Sequence, residues 1–220
     1  MVTNDDNALV TIYHIEGRRS ERVAWLCEEL GIPYKLVFNV GDLKGSMQNI
    51  KSVSSMGVAP TVRIDNQIIV ESGAILQYIQ MKYAGGRLAP PVGSPDFPYH
   101  LQWLHYSEGS AMYRIVAESL LRQIDGQFKP TPLTQLHMSG AARTLAFMEE
   151  FLSQHSYFGG EEFSSADIMM HFPTKVVSIF TPQKLEDYPH VLAWRKKVEA
   201  RPAFLRTMKA TLPNGPTGNI

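Results

Sequence analysis

The chain has 220 residues, 44% apolar and 10% aromatic, enough to bury one large core or two modest ones, which excludes a disordered polymer. Lys plus Arg equals Asp plus Glu at 21 each, so no net field gathers phosphates and no basic run marks a nucleic-acid surface. A polar, acidic opening without signal-peptide character, no apolar run near the ~20 residues that cross a bilayer, and a single cysteine, Cys27, predict a cytosolic protein that partners neither membrane nor nucleic acid.

Val10 to Tyr13 alternates like a strand, and Val23, Leu26, Cys27 and Leu30 then recur at helical spacing until Gly31 and Pro33 stop the helix. Tyr34 to Val40 reads as a second strand, and a crossover of this kind makes the two strands parallel. After a polar stretch, Thr61–Ile64 and Gln67–Val70 flank Asp65-Asn66, a two-residue hairpin signal, and a helix follows from about Ser72 to Tyr83. The order predicts a small mixed sheet with helices packed on it. From Ala84 to Pro98 the chain reads AGGRLAPPVGSPDFP, too dense in Gly and Pro to continue a helix or central strand. The domain boundary falls there. Beyond it, Leu101, Leu104, Glu108, Ala111, Met112 and Ile115 predict one helix, and Met138, Ala142, Leu145, Met148 and Leu152 another. Ser164 with Asp167 three places on starts a further helix, and Pro189 opens the last long one through Leu192, Trp194 and Val198. The plan is a first domain over 8–84, a linker over 85–98, a helical domain over 99–212 and a tail over 213–220.

Between Tyr13 and the helix beginning near Ser20, His14 to Arg19 form the turn at a strand's carboxyl end, where ligands of α/β layers usually sit. A helix N-terminus offers N–H groups and about half a positive charge, which favours an anion such as a thiolate. Tyr13 or Ser20 can donate a hydrogen bond to it, and Arg18 or Arg19 can add a full charge. Lowering a thiol pKa by about two units takes about 2.7 kcal/mol of preference for the charged form, within reach of one or two charge-assisted hydrogen bonds. Each residue has a plainer use as well: Ser20 as a helix cap, Tyr13 as a core aromatic, the arginines as solvated charges. Val58-Ala59-Pro60 is consistent with a cis peptide whose backbone pairs with a peptide-like ligand, or with the mere end of a loop. Glu71-Ser72 opens the next helix, either as a cap or as the holder of a ligand's carboxylate and ammonium. Cys27 lies on an apolar helical face and reads as a packed thiol. The sequence holds no C-x-x-C, H-E-x-x-H, G-x-G-x-x-G or Walker loop, which argues against dithiol redox, metal and dinucleotide chemistry.

Together these pieces resemble the cytosolic glutathione transferase family over nearly the whole chain. The match is densest in TIYHIEGRRSERVAWLCEELGIPYK (11–35), GVAPTVRIDNQIIVESGAILQYI (57–79) and WLHYSEGSAMY (103–113), and the last of these with SERVAWLCEELGIPY looks like the bacterial and fungal branch related to the yeast Gtt-one type. The resemblance implies a thioredoxin-like first domain with a mixed four-stranded sheet, an all-α second domain, a homodimer, and glutathione as co-substrate for conjugation of apolar electrophiles, the detoxification chemistry. It implies that the Val58-Ala59-Pro60 segment meets the cysteinyl part of glutathione, with Ala59 pairing its backbone, that Glu71 and Ser72 hold the γ-glutamyl end, and that Lys44 or Lys51 meets the glycyl carboxylate. Glu108 is the acid that a partner subunit would extend to the γ-glutamyl ammonium. Tyr106, Met112, Tyr113 and Val116 would receive the electrophile, with Phe172 and the tail near Leu212 behind them; the plainer reading of that stripe is interhelical core. Where related sequences often read S-R-S-x-R, this chain reads Arg18-Arg19-Ser20-Glu21-Arg22, with arginine in place of the first serine, a usual thiol partner. Many members also have a polar side chain at Val58. Tyr13 and Ser20 stand as equals for activating the thiol, with Arg18 as an electrostatic substitute. Two rival readings remain open: another glutathione-dependent reaction (lyase, isomerase, peroxidase), or a binding or assembly protein without turnover.

Overall fold

In chain order the elements are β1 (Val10–Tyr13), α1 (Glu21–Leu30), β2 (Tyr34–Val37), α2 (Leu43–Lys51), β3 (Thr61–Ile64), β4 (Gln67–Val70), α3 (Ser72–Ala84), α4 (Phe97–Tyr106), a π-helical segment (Ser107–Met112), α5 (Tyr113–Gln123), α6 (Pro132–Met138), α7 (Gly140–Leu152), α8 (Ser165–Phe180), α9 (Pro189–Glu199) and α10 (Pro202–Thr211). The computed structural model describes residues 7–124 and 131–215, so the end of the expected tail over 213–220 lies outside the described residues. The chain forms two units: one runs to Arg87 and takes in the segment that begins at Glu199, and the other is Leu88–Val198.

The first unit is built on a sheet of order β2-β1-β3-β4. β1 is parallel to β2 and antiparallel to β3, and β3 pairs antiparallel with β4 through a turn at Asp65, whose φ of 52° suits the tight hairpin. Gly31, at φ 70°, ends α1 and gives its N–H to the Cys27 carbonyl. β2 is shorter than the expected Tyr34 to Val40: the chain leaves the sheet after Val37, and the Asn39 amide donates to Ser46 Oγ instead of a strand partner. The polar stretch after it contains a helix that periodicity did not signal, α2, capped by Asp42 and buried only through Ser46 and Ile50.

The chain's last helix completes this unit. α10 buries Ala203, Phe204, Thr207 and Thr211, and it packs on α1 with Phe204 edge-to-face on Trp25 at 4.8 Å. Arg201 grips Glu29 through two bonds of 2.6 and 2.8 Å, and Arg206 reaches Glu28 at 2.7 Å. The sequence plan instead assigns everything over 99–212 to the helical domain; the outward face of α1, with Trp25, Glu28 and Glu29, is what draws α10 back.

The second unit is all helical. The single long helix expected through Leu101 and Ile115 forms, running unbroken through α4 and α5 with the π-helical stretch Ser107–Met112 inside it. The helix expected through Met138 and Leu152 forms as α7, which starts at Gly140, and α6 precedes it as a further helix that the sequence reading did not name, opened under a Thr131 capping box. In the aromatic core of this unit Trp103 and Trp194 both meet Phe158, the first tilted at 4.6 Å and the second edge-on at 4.7 Å. The Ser164 and Asp167 capping box forms as the sequence predicts, and Asp167 also accepts from Phe158 N and Trp194 Nε1 at 2.9 and 2.8 Å. Buried Glu118 joins α5 to α7 by accepting from the Ala141 amide at 2.9 Å while Arg122 holds its other oxygen. Among the described residues no helix is long and apolar enough to cross a membrane. A mixed four-stranded thioredoxin-like unit and an all-α unit are the fold that the resemblance implies.

Candidate functional site

Sheet register decides what can meet. Tyr13 at the end of β1 lies opposite Val37 on one side and Thr61 on the other, and Thr61 lies opposite Val70. The turn after β1, the residues just before β3 and the start of α3 after β4 therefore share one end of the sheet.

The Ala59–Pro60 bond there is cis. Neither backbone group of Ala59 has a backbone partner among the described residues, so this short piece can pair with another chain. Thr61 Oγ1 donates to the Val58 carbonyl at 2.7 Å and holds the piece in shape. Across from it, Glu71 takes φ 71° and ψ 107°, a left-handed conformation that costs a non-glycine residue about 1 kcal/mol or more and is held by its surroundings. Glu71 is exposed, while Ser72 is buried and its Oγ accepts from Arg22 Nη1 at 3.0 Å. The Ser72 and Gly73 amides, in the first turn of α3, meet no acceptor among the described residues. This end suits a carboxylate, with Glu71 beside it for an ammonium.

The turn from β1 to α1 is organised by a residue that the sequence did not single out. His14 is fully buried. Its Nε2 lies 2.9 Å from the Thr211 carbonyl at the end of α10, and its Nδ1 lies 2.7 Å from Ser20 Oγ. A carbonyl only accepts, so in the neutral ring Nε2 carries the proton and Nδ1 accepts from the serine hydroxyl. Ser20, itself fully buried, thus spends its proton on His14 and receives the Ile15 amide at 3.3 Å. It makes no side-chain cap to α1. The amides of Glu21 and Arg22 are also taken, by the carbonyls of Arg18 and Arg19 at 3.1 Å, so α1 contributes its field and few open donors. Nothing local reveals His14, because its partner at Thr211 is 197 residues away.

Tyr13 is 8% exposed and packs with Ile15 and Ile50, a cluster that also includes Val37, Met47, Val53 and Ala59. The structure thereby places Tyr13 and Ala59 in one cluster. Its hydroxyl has no hydrogen-bond partner among the described residues. Arg18 is half-buried in the turn that Gly17 makes at φ 73°. Lys51 runs along Gly57, where a Cβ would meet its Cγ at 3.4 Å, and so lies beside the 57–60 segment. Lys44 is exposed in the first turn of α2, and Val58 is exposed at 38%. Cys27 is fully buried, and burial pushes its thiol up to about 12, which leaves it inert at neutral pH.

In the helical unit Met112 is buried, and Tyr106 packs edge-to-face on Trp103 at 5.0 Å. Tyr113 and Val116 face outward, 57% and 38% exposed. Glu108 is half-buried in the π-helical turn, Phe172 is buried, and Leu212 is half-buried just past α10.

Residues 12–87 match the profile of the glutathione S-transferase N-terminal domain, and residues 108–202 that of the glutathione S-transferase C-terminal domain. The chain is similar to glutathione S-transferase 3 of Schizosaccharomyces pombe, 28% identical over 211 residues that cover 89% of this chain and 85% of that one. It is 27% identical to glutathione S-transferase 3 of Zea mays, covering 90% and 92%. Among solved structures it is similar to a glutathione S-transferase of Actinobacillus pleuropneumoniae, with a TM-score of 0.81 at 21% identity over 92% of both chains. A glutathione transferase of Phanerochaete chrysosporium in complex with oxidized glutathione gives 0.74 at 22% identity, covering 94% and 97%.

Proposed function

The chain belongs to the glutathione S-transferase family, and we propose that it is a cytosolic glutathione transferase whose thiol-activating groups are Tyr13 and Arg18. Glutathione supplies the nucleophile, a thiolate sulfur that attacks an apolar electrophile. The observation that carries the site is the convergence of Tyr13, Ala59 and the start of α3 at one end of the sheet.

Each residue then has a task. The backbone of Ala59, between Val58 and Pro60, pairs with the cysteinyl peptide unit, and the amides of Ser72 and Gly73 take the γ-glutamyl carboxylate while Glu71 faces its ammonium. Lys51, lying along Gly57, is better placed for the glycyl carboxylate than Lys44. Tyr13 has an uncommitted hydroxyl to donate to the sulfur, and Arg18 adds charge without needing direct contact. Ser20 acts one step back: with its proton on His14 it fixes the turn that presents Arg18. Electrophile recognition falls to the exposed Tyr113 and Val116, with the packed Tyr106 and Met112 supporting them from within the helical unit. We further propose a homodimer, with Glu108 as the acid offered to the partner.

Conjugation of chlorodinitrobenzene tests this reading. The wild type is expected to turn over, Tyr13→Phe and Arg18→Ala to lose about tenfold or more in kcat/KM, and Ser20→Ala to lose stability more than chemistry. Full activity in Tyr13→Phe and Arg18→Ala alike would overturn the assignment. No turnover, together with an unshifted thiol in bound glutathione, would favour a binding protein.

A further inference from the structure

The helical unit carries a pocket of a different character. Gly140, the first residue of α7, lies directly against α5: a Cβ there would sit 3.1 Å from Arg114 Cβ and 3.2 Å from the Arg114 carbonyl oxygen. A side chain there would push the Arg114 segment away by a few tenths of an ångström. With glycine in place, Arg114 of α5 and Arg143, one turn along α7, flank a single cavity of about 170 Å³, closed by Tyr113, Leu136, His137 and Gly140. Tyr113 and His137 meet edge-to-face at 5.7 Å and form one wall, with the half-exposed side chain of Leu136 forming another.

Neither the Arg114 nor the Arg143 guanidinium has an ion pair or hydrogen bond among the described residues. Glu118, one turn along α5 from Arg114, is committed to Arg122 at 2.8 Å and to the Ala141 amide at 2.9 Å. Arg122, Arg201 and Arg206 show what arginine does elsewhere in this chain, since each is held by a carboxylate. A larger cavity of about 400 Å³ near α9 differs in this respect. There His190 lies 2.6 Å from Glu149, and Lys197 sits 3.7 Å over the Tyr157 ring. Two planar forks with five donors each, beside an apolar wall and without an acceptor, are complementary to an oxyanion on a flat body.

We propose that the pocket between α5, α6 and α7 binds a small aromatic carboxylate, its oxygens on Arg114 and Arg143 and its ring against Tyr113 and Leu136. The site uses none of the proposed thiol-activating groups. It shares only Tyr113 with the proposed electrophile-binding set, so it is tested without glutathione.

Titration calorimetry with benzoate at low salt is the test, on the wild type and on Arg143→Gln, an exposed position whose substitution is expected to leave the circular dichroism spectrum and melting temperature unchanged. Saturable single-site binding is expected, weakened about tenfold or more in Arg143→Gln and in Arg114→Gln and partly retained in Arg143→Lys. Benzamide, isosteric but uncharged, is expected to bind about tenfold more weakly or worse, and inorganic phosphate, which has no ring, more weakly than benzoate. Absence of benzoate binding, equal binding by benzamide, equal binding by phosphate, or unchanged affinity in both glutamine variants would each overturn the proposal. A glutathione titration on the same samples reads the first unit separately, so failure at one site is distinguished from failure at the other.

Discussion

Ser20 and Tyr13 are indistinguishable in sequence as donors to a sulfur anion, and hydrogen-bond bookkeeping separates them. The serine proton is committed to His14 because the other ring nitrogen faces a carbonyl, whereas the phenol has no partner among the described residues. Removing His14 would leave the Thr211 carbonyl without that donor and the Ser20 hydroxyl with only the longer contacts to Ile15, in a fully buried place, and leave a cavity besides. His14→Ala is therefore expected to cost about 2–4 kcal/mol of unfolding free energy, read from urea melts, with Ser20→Ala costing about 1–2 kcal/mol. The legible part of the proposed site was local: Tyr13, Arg18, Ala59-Pro60 and Glu71-Ser72 each lie at or beside the end of an element that the sequence announces. His14 and Arg22 were not legible as site residues, since their partners at Thr211 and Ser72 are supplied by distant parts of the chain.

At the scale of elements, α8 is fixed by Asp167, which accepts two buried backbone amides and the Trp194 indole N–H. Burial raises its carboxyl to about 6 in spite of those donors. Asp167→Ala would strand three buried donors and is expected to cost about 3–5 kcal/mol, enough to unfold the helical unit at modest denaturant. His100 of α4 touches the same cap through Ser164 Oγ at 3.2 Å, and burial, helped by the nearby His105, lowers its pKa to about 4. Between pH 6.5 and about 4 the unfolded chain binds a proton that the folded one refuses. The contribution of neutral His100 should thus be full above pH 6.5, and the wild type should lose up to about 3 kcal/mol relative to His100→Gln as pH falls through that window. Parallel melts of the two proteins at several pH values check this, and a constant difference would contradict it. Periodicity marked α1, where Val23, Leu26, Cys27 and Leu30 line a buried face, while the hairpin before α3 and the Ser164–Asp167 capping box announced α3 and α8. Periodicity passed over α2, whose buried residues are only Ser46 and Ile50, and α10, whose buried face is half threonine.

At the scale of the molecule, the chain's two ends make one unit. α10 is tied to α1 by the Arg201–Glu29 and Arg206–Glu28 pairs and by Phe204 on Trp25, and its last carbonyl reaches the turn that holds the proposed thiol site. A chain ended before Pro202 is accordingly expected to lose glutathione binding along with stability, although it keeps every residue assigned to glutathione; calorimetry on the truncated protein reads both. The proposed homodimer is checked by sedimentation at micromolar concentration, where a monomer alone would contradict it. The central claim is that Tyr13 and Arg18 make a sulfur anion more stable at the end of β1 than in water. It is tested most directly by titrating the thiolate absorbance of glutathione bound to the wild type and to Tyr13→Phe and Arg18→Ala. The expected result is a thiol pKa about two units below that of the free tripeptide in the wild type, moving back toward it in each variant. A bound thiol that titrates like the free one in all three proteins would contradict the account.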